Sequence, residues 1–174
     1  GRVTGENRTG KDAGTYQFLV TPKGRLRGEP VPVTIKVNPR NLSDGVTIEA
    51  SDVTYAPGNS TPKPNLTLTY NGEKLTEGSR GSGRGDYEIT GYLNEQNAGT
   101  GTVNIKGNGN FNGSIPKTYT IRPKDMFGTS NIQIEEIASE IQYNWGDPIE
   151  VNPSVRVDGY LLTKGTDYEI KYVD

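Results

Sequence analysis

DYEITGYLNEQNAGTGTVNIKGNGNFNGSIPKTYTIRP, residues 86–123, decides the fold, because its pieces recur elsewhere in the chain. Asn97-Ala98-Gly99-Thr100 is answered 85 positions earlier by Asp12-Ala13-Gly14-Thr15, and Gly109-x-Phe111-x-Gly113 by Gly24-x-Leu26-x-Gly28 at the same offset. Downstream, Asp86-Tyr87-Glu88-Ile89 returns as Asp167-Tyr168-Glu169-Ile170. Two more matches lie outside the stretch: Val46-Thr47-Ile48-Glu49 with Ile132-Gln133-Ile134-Glu135, and Leu75-Thr76-Glu77-Gly78 with Leu162-Thr163-Lys164-Gly165. A period of this size marks an array of like units, each a small domain. The chain reads as the C-terminal half of one unit (1–39), a complete unit (44–123) and the N-terminal half of another (127–174).

Within each piece the apolar residues alternate, which is the period of a half-buried strand. Tyr16, Phe18 and Val20 share one face, and so do Val33, Ile35 and Val37, with Pro22-Lys23-Gly24 turning between them. Leu66, Leu68 and Tyr70 lead into Asn71-Gly72, a type I′ hairpin signal. Val155 and Val157 lead likewise into Asp158-Gly159. The one stretch open to a helical reading, residues 132–141, has an extended counterpart at 46–53, and both are assigned as extended. Short strands with frequent turns predict an all-β fold of tandem antiparallel β-sandwiches.

Composition removes several chemistries. With no Cys and no His among 174 residues, disulfides, thiolate nucleophiles, the usual zinc sites and a Ser-His-Asp triad all lack a required side chain. Nineteen Lys and Arg against 21 Asp and Glu leave a net charge of −2, which offers nucleic acid or an anionic membrane no attracting field. No apolar run reaches the length of a bilayer span. The chain starts at Gly1 and its single Met is Met126, so an excised or processed segment is expected. No cofactor or metal is expected, since no Asp-x-Asp-x-Asp loop occurs. Nothing concentrates the carboxylates into a glycosidase pair, so the chain is read as no enzyme.

On Gly85-Asp86-Tyr87, Asn97 to Thr100, Gly107 to Gly113 and Tyr119 to Ile121, the sequence resembles the bacterial immunoglobulin-like repeats (the Big or MBG type) of large cell-surface adhesins. The resemblance implies tandem immunoglobulin-like sandwiches, an extracellular place on a bacterial surface, Gram-positive in many cases, or secretion, and no catalytic residues. It also implies adjacent repeats of the same protein and a host macromolecule as partners, a protein such as immunoglobulin, mucin or matrix protein before a glycan. Two alternatives stay open: a spacer or fibre repeat without a ligand, and an accessory domain of a glycan-degrading enzyme. Leu26 departs from the aromatic usual in the Gly-x-Phe-x-Gly position.

Four residues are candidates for ligand contact. Arg80 and Arg84 lie in a glycine-rich excess, residues 79–85, that the third piece lacks, and loops on a rigid scaffold carry binding residues. Tyr143 and Trp145 lie in a Gly/Pro-rich turn, where the lone Trp aligns with Pro57 and is expected at the surface or at a junction between units. Arg84-Gly85-Asp86 spells the tripeptide that integrins bind, but Asp86 has its counterpart in Asp167 after Gly165-Thr166, so it is read as a strand-start residue.

A half-unit of about forty residues buries too little surface to fold alone. The two ends are complementary, because DYEIKYVD followed by the opening of the chain reproduces the order of residues 86–105. They are expected to join within the chain, although strands of about nine residues put entry and exit about 30 Å apart. The connector 40–45 spans only about 20 Å. Pairing between chains, head to tail, is the other arrangement.

Overall fold

The computed structural model describes residues 12–58, 61–128, 131–135, 137–143 and 145–173. Of the polar opening of the chain, residues 1–11 lie outside them. Among the described residues the fold is all-β, with fourteen strands and no helix. In order they are β1 (Gly14–Val20), β2 (Val31–Val37), β3 (Arg40–Asn41), β4 (Val46–Ala50), β5 (Val53–Thr54), β6 (Leu66–Tyr70) and β7 (Glu73–Lys74). There follow β8 (Tyr87–Leu93), β9 (Gly99–Gly107), β10 (Phe111–Asn112), β11 (Ser114–Arg122), β12 (Ile132–Glu135), β13 (Ser154–Val157) and β14 (Tyr160–Leu161).

The middle of the chain holds the core. Two sheets, β4-β6-β7 and β5-β11-β9-β8, contribute to one apolar cluster in which Leu68 from the first meets Val103, Ile105 and Ile121 from the second, each at most 1% exposed. Alternation places these side chains on the inner faces. Phe111, carried on β10 between the long strands, packs edge-on against Tyr70 with ring centroids 5.6 Å apart. Gly101 is required by its cross-strand partner: a Cβ there would stand 2.5 Å from the buried Tyr119 ring.

The repeats seen in the sequence return as strand register. β1 pairs β2 with Gly14 opposite Val37, as β9 pairs β11 with Gly99 opposite Ile121. Tyr16 therefore faces Ile35 where Gly101 faces Tyr119, so the aromatic ring changes strand but keeps its place in the face. At the other end β12, β13 and β14 reproduce β4, β6 and β7: Val157 opposite Ile132 and Tyr160 matches Tyr70 opposite Val46 and Glu73. The two hairpin turns are also alike, with φ of 51° and 84° at Asn71-Gly72 and 51° and 85° at Asp158-Gly159, the two positive values a type I′ turn requires.

β1 and β2 form a two-stranded sheet of their own, and among the described residues no strand of 1–39 pairs with β12-β13-β14. The consequence is visible in a repeated tetrapeptide. Tyr87, Glu88 and Ile89 are strand because β9 runs beside them, whereas Asp167-Tyr168-Glu169-Ile170 has no such neighbour and lies outside every strand. Tyr168 keeps one corner of the pattern, donating its hydroxyl to the Pro153 carbonyl at 2.9 Å.

The outer pieces touch the middle at defined points. Asn110 accepts from the Ala13 amide at 2.6 Å and donates to the Asp12 carboxylate at 2.9 Å. On the other side Lys124 pairs with Asp158 at 2.7 Å and the Tyr160 ring lies against Gly58.

Candidate functional site

Residues 79–85 leave and re-enter the fold through a neck that the third piece also builds. Thr76 donates its amide and hydroxyl to the Asp86 carboxylate at 2.8 and 2.7 Å, and the Asp86 amide donates to the Thr76 carbonyl at 2.8 Å. The third piece has the same bonds: the Thr163 amide donates to Asp167 at 2.7 Å and the Asp167 amide to the Thr163 carbonyl at 2.8 Å. Six extra residues have therefore been inserted into a neck that closes without them. The Asp86 carboxylate is committed to that closure, which answers the integrin-like tripeptide on geometric grounds.

The inserted loop has an internal clamp. Glu88 and Lys106 face each other across β8 and β9, and Lys106 Nζ lies 3.1 Å from Glu88 Oε1. The other carboxylate oxygen, Oε2, accepts the Gly81 amide. Glu88 is 3% exposed, and a buried carboxylate is stable only when its oxygens are so satisfied. The Gly81 amide, then Lys106, and at longer range Arg80 hold its carboxyl below the usual range. Gly81, Gly83 and Gly85 have φ of 73°, 65° and 74°, the left-handed values that let the loop fold back. Ser82 closes a turn onto the Ser79 carbonyl at 2.9 Å and accepts from the Arg84 amide at 3.1 Å. Arg80 and Arg84 are exposed at the rim of this clamped loop.

The clamp predicts an acid response. A carboxylate whose folded pKa is lowered contributes stability that is present above its ordinary value of 4.5 and lost as pH falls through the lowered one. Loop protection, read as hydrogen exchange of the Gly81 amide, is expected to fail in that window, and at neutral pH it is read as trypsin cleavage after Arg80 or Arg84. At neutral pH, Glu88→Ala should speed cleavage roughly tenfold or more, because an amide hydrogen bond to a charged group is lost. Cleavage at the wild-type rate would exclude the clamp.

Tyr143 and Trp145 come together as a pair with ring centroids 6.4 Å apart and a tilt of 46°. They are 82% and 90% exposed, so the sequence expectation of a surface position for Trp145 holds. Trp145 has φ of 49° and Gly146 92°, the same two signs as Asn71-Gly72. A bulky side chain in the left-handed region costs about 1–2 kcal/mol, and such strain concentrates at functional positions. The structure thus supplies two pairs of candidates, one on the inserted loop and one on the turn.

A cleft of about 350 Å³ separates the middle from the third piece, lined by Tyr55, Pro57, Ala98, Met126, Leu162 and Asp167 among others. Ala98, part of the repeated Asn97-Ala98-Gly99-Thr100 motif, is also a junction residue. Sequence reasoning missed the Glu88–Lys106 clamp. Glu169 repeats Glu88, and repetition disguised it as a fold residue; the signal was an acid directly beneath the one loop its counterpart lacks.

Among the described residues no helix is long and apolar enough to cross a membrane, and no group of three acidic, His or Cys side chains is placed to hold a metal ion. Comparison of the chain with protein-family models, with curated proteins and with solved structures returns no match.

Proposed function

We propose that this chain is a non-enzymatic, extracellular bacterial surface module built of tandem immunoglobulin-like sandwiches, which binds a host macromolecule as part of an adhesin. The observation that carries the reading is the inserted loop: six residues beyond what the neck needs, clamped from beneath by Glu88, with Arg80 and Arg84 exposed on top. A loop held in shape loses little entropy on binding, and outward arginines suit a carboxylate-bearing protein surface. The Tyr143 and Trp145 pair, exposed and strained, is the second contact candidate, suited to anchoring a protein or stacking on a sugar.

The test is binding to immobilised immunoglobulin, mucin and matrix proteins. An Arg80→Ala/Arg84→Ala double variant should weaken capture at least about tenfold while thermal unfolding stays within about 0.5 kcal/mol of the parent. Capture of none of these proteins at roughly 10 μM would favour the spacer reading.

A further inference from the structure

Pro39-Arg40 leads into the middle of the chain as Pro123-Lys124 leads into the third piece. In both connectors the next residue closes an Asx turn: Asn41 Oδ1 accepts the Ser43 amide at 3.0 Å, and Asp125 Oδ1 accepts the Phe127 amide at 2.9 Å. A proline followed by an Asx turn leaves a connector few conformations. The base between them reaches, in both cases, the hairpin of the piece it leads into. The Arg40 guanidinium lies over the ring of Tyr70, at the end of β6, 5.2 Å from its centroid. Lys124 Nζ lies 2.7 Å from the carboxylate of Asp158, in the turn between β13 and β14.

The second of these contacts goes further than the repeat requires. Asp158 divides its carboxylate oxygens: Oδ1 accepts the Asn131 amide at 3.0 Å inside the third piece, and Oδ2 takes Lys124 from the end of the middle. Two residues on, Tyr160 lays its ring on Gly58, where a Cβ would fall on that ring. The matching hairpin of the middle has Asn71 and Glu73 at these two positions, so neither contact is inherited from the repeat. An ion pair whose side chains are 26% and 38% exposed holds weakly by itself. The ring over bare backbone adds buried area that the pair lacks.

We infer that the turn Asp158-Gly159-Tyr160 is a two-point joint that fixes the angle between the middle and the third piece, with Lys124 held on its carboxylate and Gly58 held beneath its ring. One point is ionic and yields to salt; the other is a ring on backbone and does not. Because the connector between the points is stiffened at Pro123 and Asp125, two contacts suffice to set the orientation. The joint thereby keeps the loop carrying Arg80 and Arg84 and the turn carrying Trp145 at one separation.

The chain has no cysteine, so spin labels on two introduced ones report the angle directly. Thr118→Cys on β11 and Gln133→Cys on β12 replace exposed residues on either side of the joint. At low salt the labelled parent should give one narrow distance distribution. A Tyr160→Ala/Asp158→Asn double variant should widen it at least about twofold, whereas Tyr160→Phe, which keeps the ring, should not. Salt near 1 M, where the screening length is about 3 Å, should widen the parent to match Asp158→Asn and leave that variant unchanged. Asn suits position 158, since Asn71 holds the same φ of 51° in the matching turn. Exchange of the Leu162 amide, bonded to the Val155 carbonyl at 2.8 Å, shows whether the hairpin itself is intact. Widening with Leu162 still protected supports the joint. A double variant as narrow as the parent, or widening found only where Leu162 protection is lost, overturns it.

Discussion

Replacing Leu68 with Ala should destabilise the middle of the chain by about 3–5 kcal/mol. Leu68 is fully buried at the centre of β6, opposite Ile48, and belongs to the cluster shared by both sheets. Truncation there leaves a cavity that close-packed neighbours on two sheets cannot collapse to fill. Domains of this kind are stable by about 5–15 kcal/mol, so the loss approaches the whole margin. Exchange protection of the Val103 and Ile105 amides is the measurement, since the exposed Trp145 does not report on this core. Replacing the counterpart Val155, 3% exposed, with Ala should cost only roughly 1–2 kcal/mol, because fewer methyl groups are removed than from Leu68. A cost below about 1 kcal/mol for Leu68→Ala would show that the two sheets do not share a packed core.

Gly78→Ala should cost about 3 kcal/mol and unmake the inserted loop. A Cβ at Gly78 would fall on the Arg84 carbonyl and 3.3 Å from the Gly85 amide, because the loop crosses itself at its neck. Backbone atoms cannot swing aside as a side chain would. The neck must open, and with it go the Gly78 amide bond to the Tyr87 carbonyl at 2.8 Å and the Asp86 bonds to Thr76. Gly165 is the sequence counterpart of Gly78, and a Cβ there meets nothing within 4 Å. It does have φ of 82°, so Gly165→Ala should cost only about 1–2 kcal/mol of left-handed strain. Denaturant midpoints for the two variants are the comparison. Equal midpoints would mean that the crossing does not constrain Gly78. Trypsin cleavage after Arg80 and Arg84 should rise in Gly78→Ala and stay unchanged in Gly165→Ala.

The strand faces were legible from alternation, as at Tyr16, Phe18 and Val20 on β1, and the turns from Asn71-Gly72 and Asp158-Gly159, whose preferred backbone angles are intrinsic to those residues. The repeats were legible from motif spacing and returned as shared hydrogen-bond registers in β1-β2 and β9-β11. The candidate pairs were legible as departures from repetition: a loop without a counterpart, and a Trp where the other piece has Pro57. Their support was not, because Glu88 looks like Glu169 until the loop folds over it.

By itself the sequence determined what depends on near neighbours along the chain: the strand period, the left-handed turns and the order of the pieces. Only tertiary structure decided that Tyr87-Glu88-Ile89 is strand while Tyr168-Glu169-Ile170 is not. It likewise decided that Asp86 is spent on its own neck. The reason is that a strand's backbone groups are satisfied by a partner many residues away, so identical tetrapeptides adopt different states according to what lies beside them.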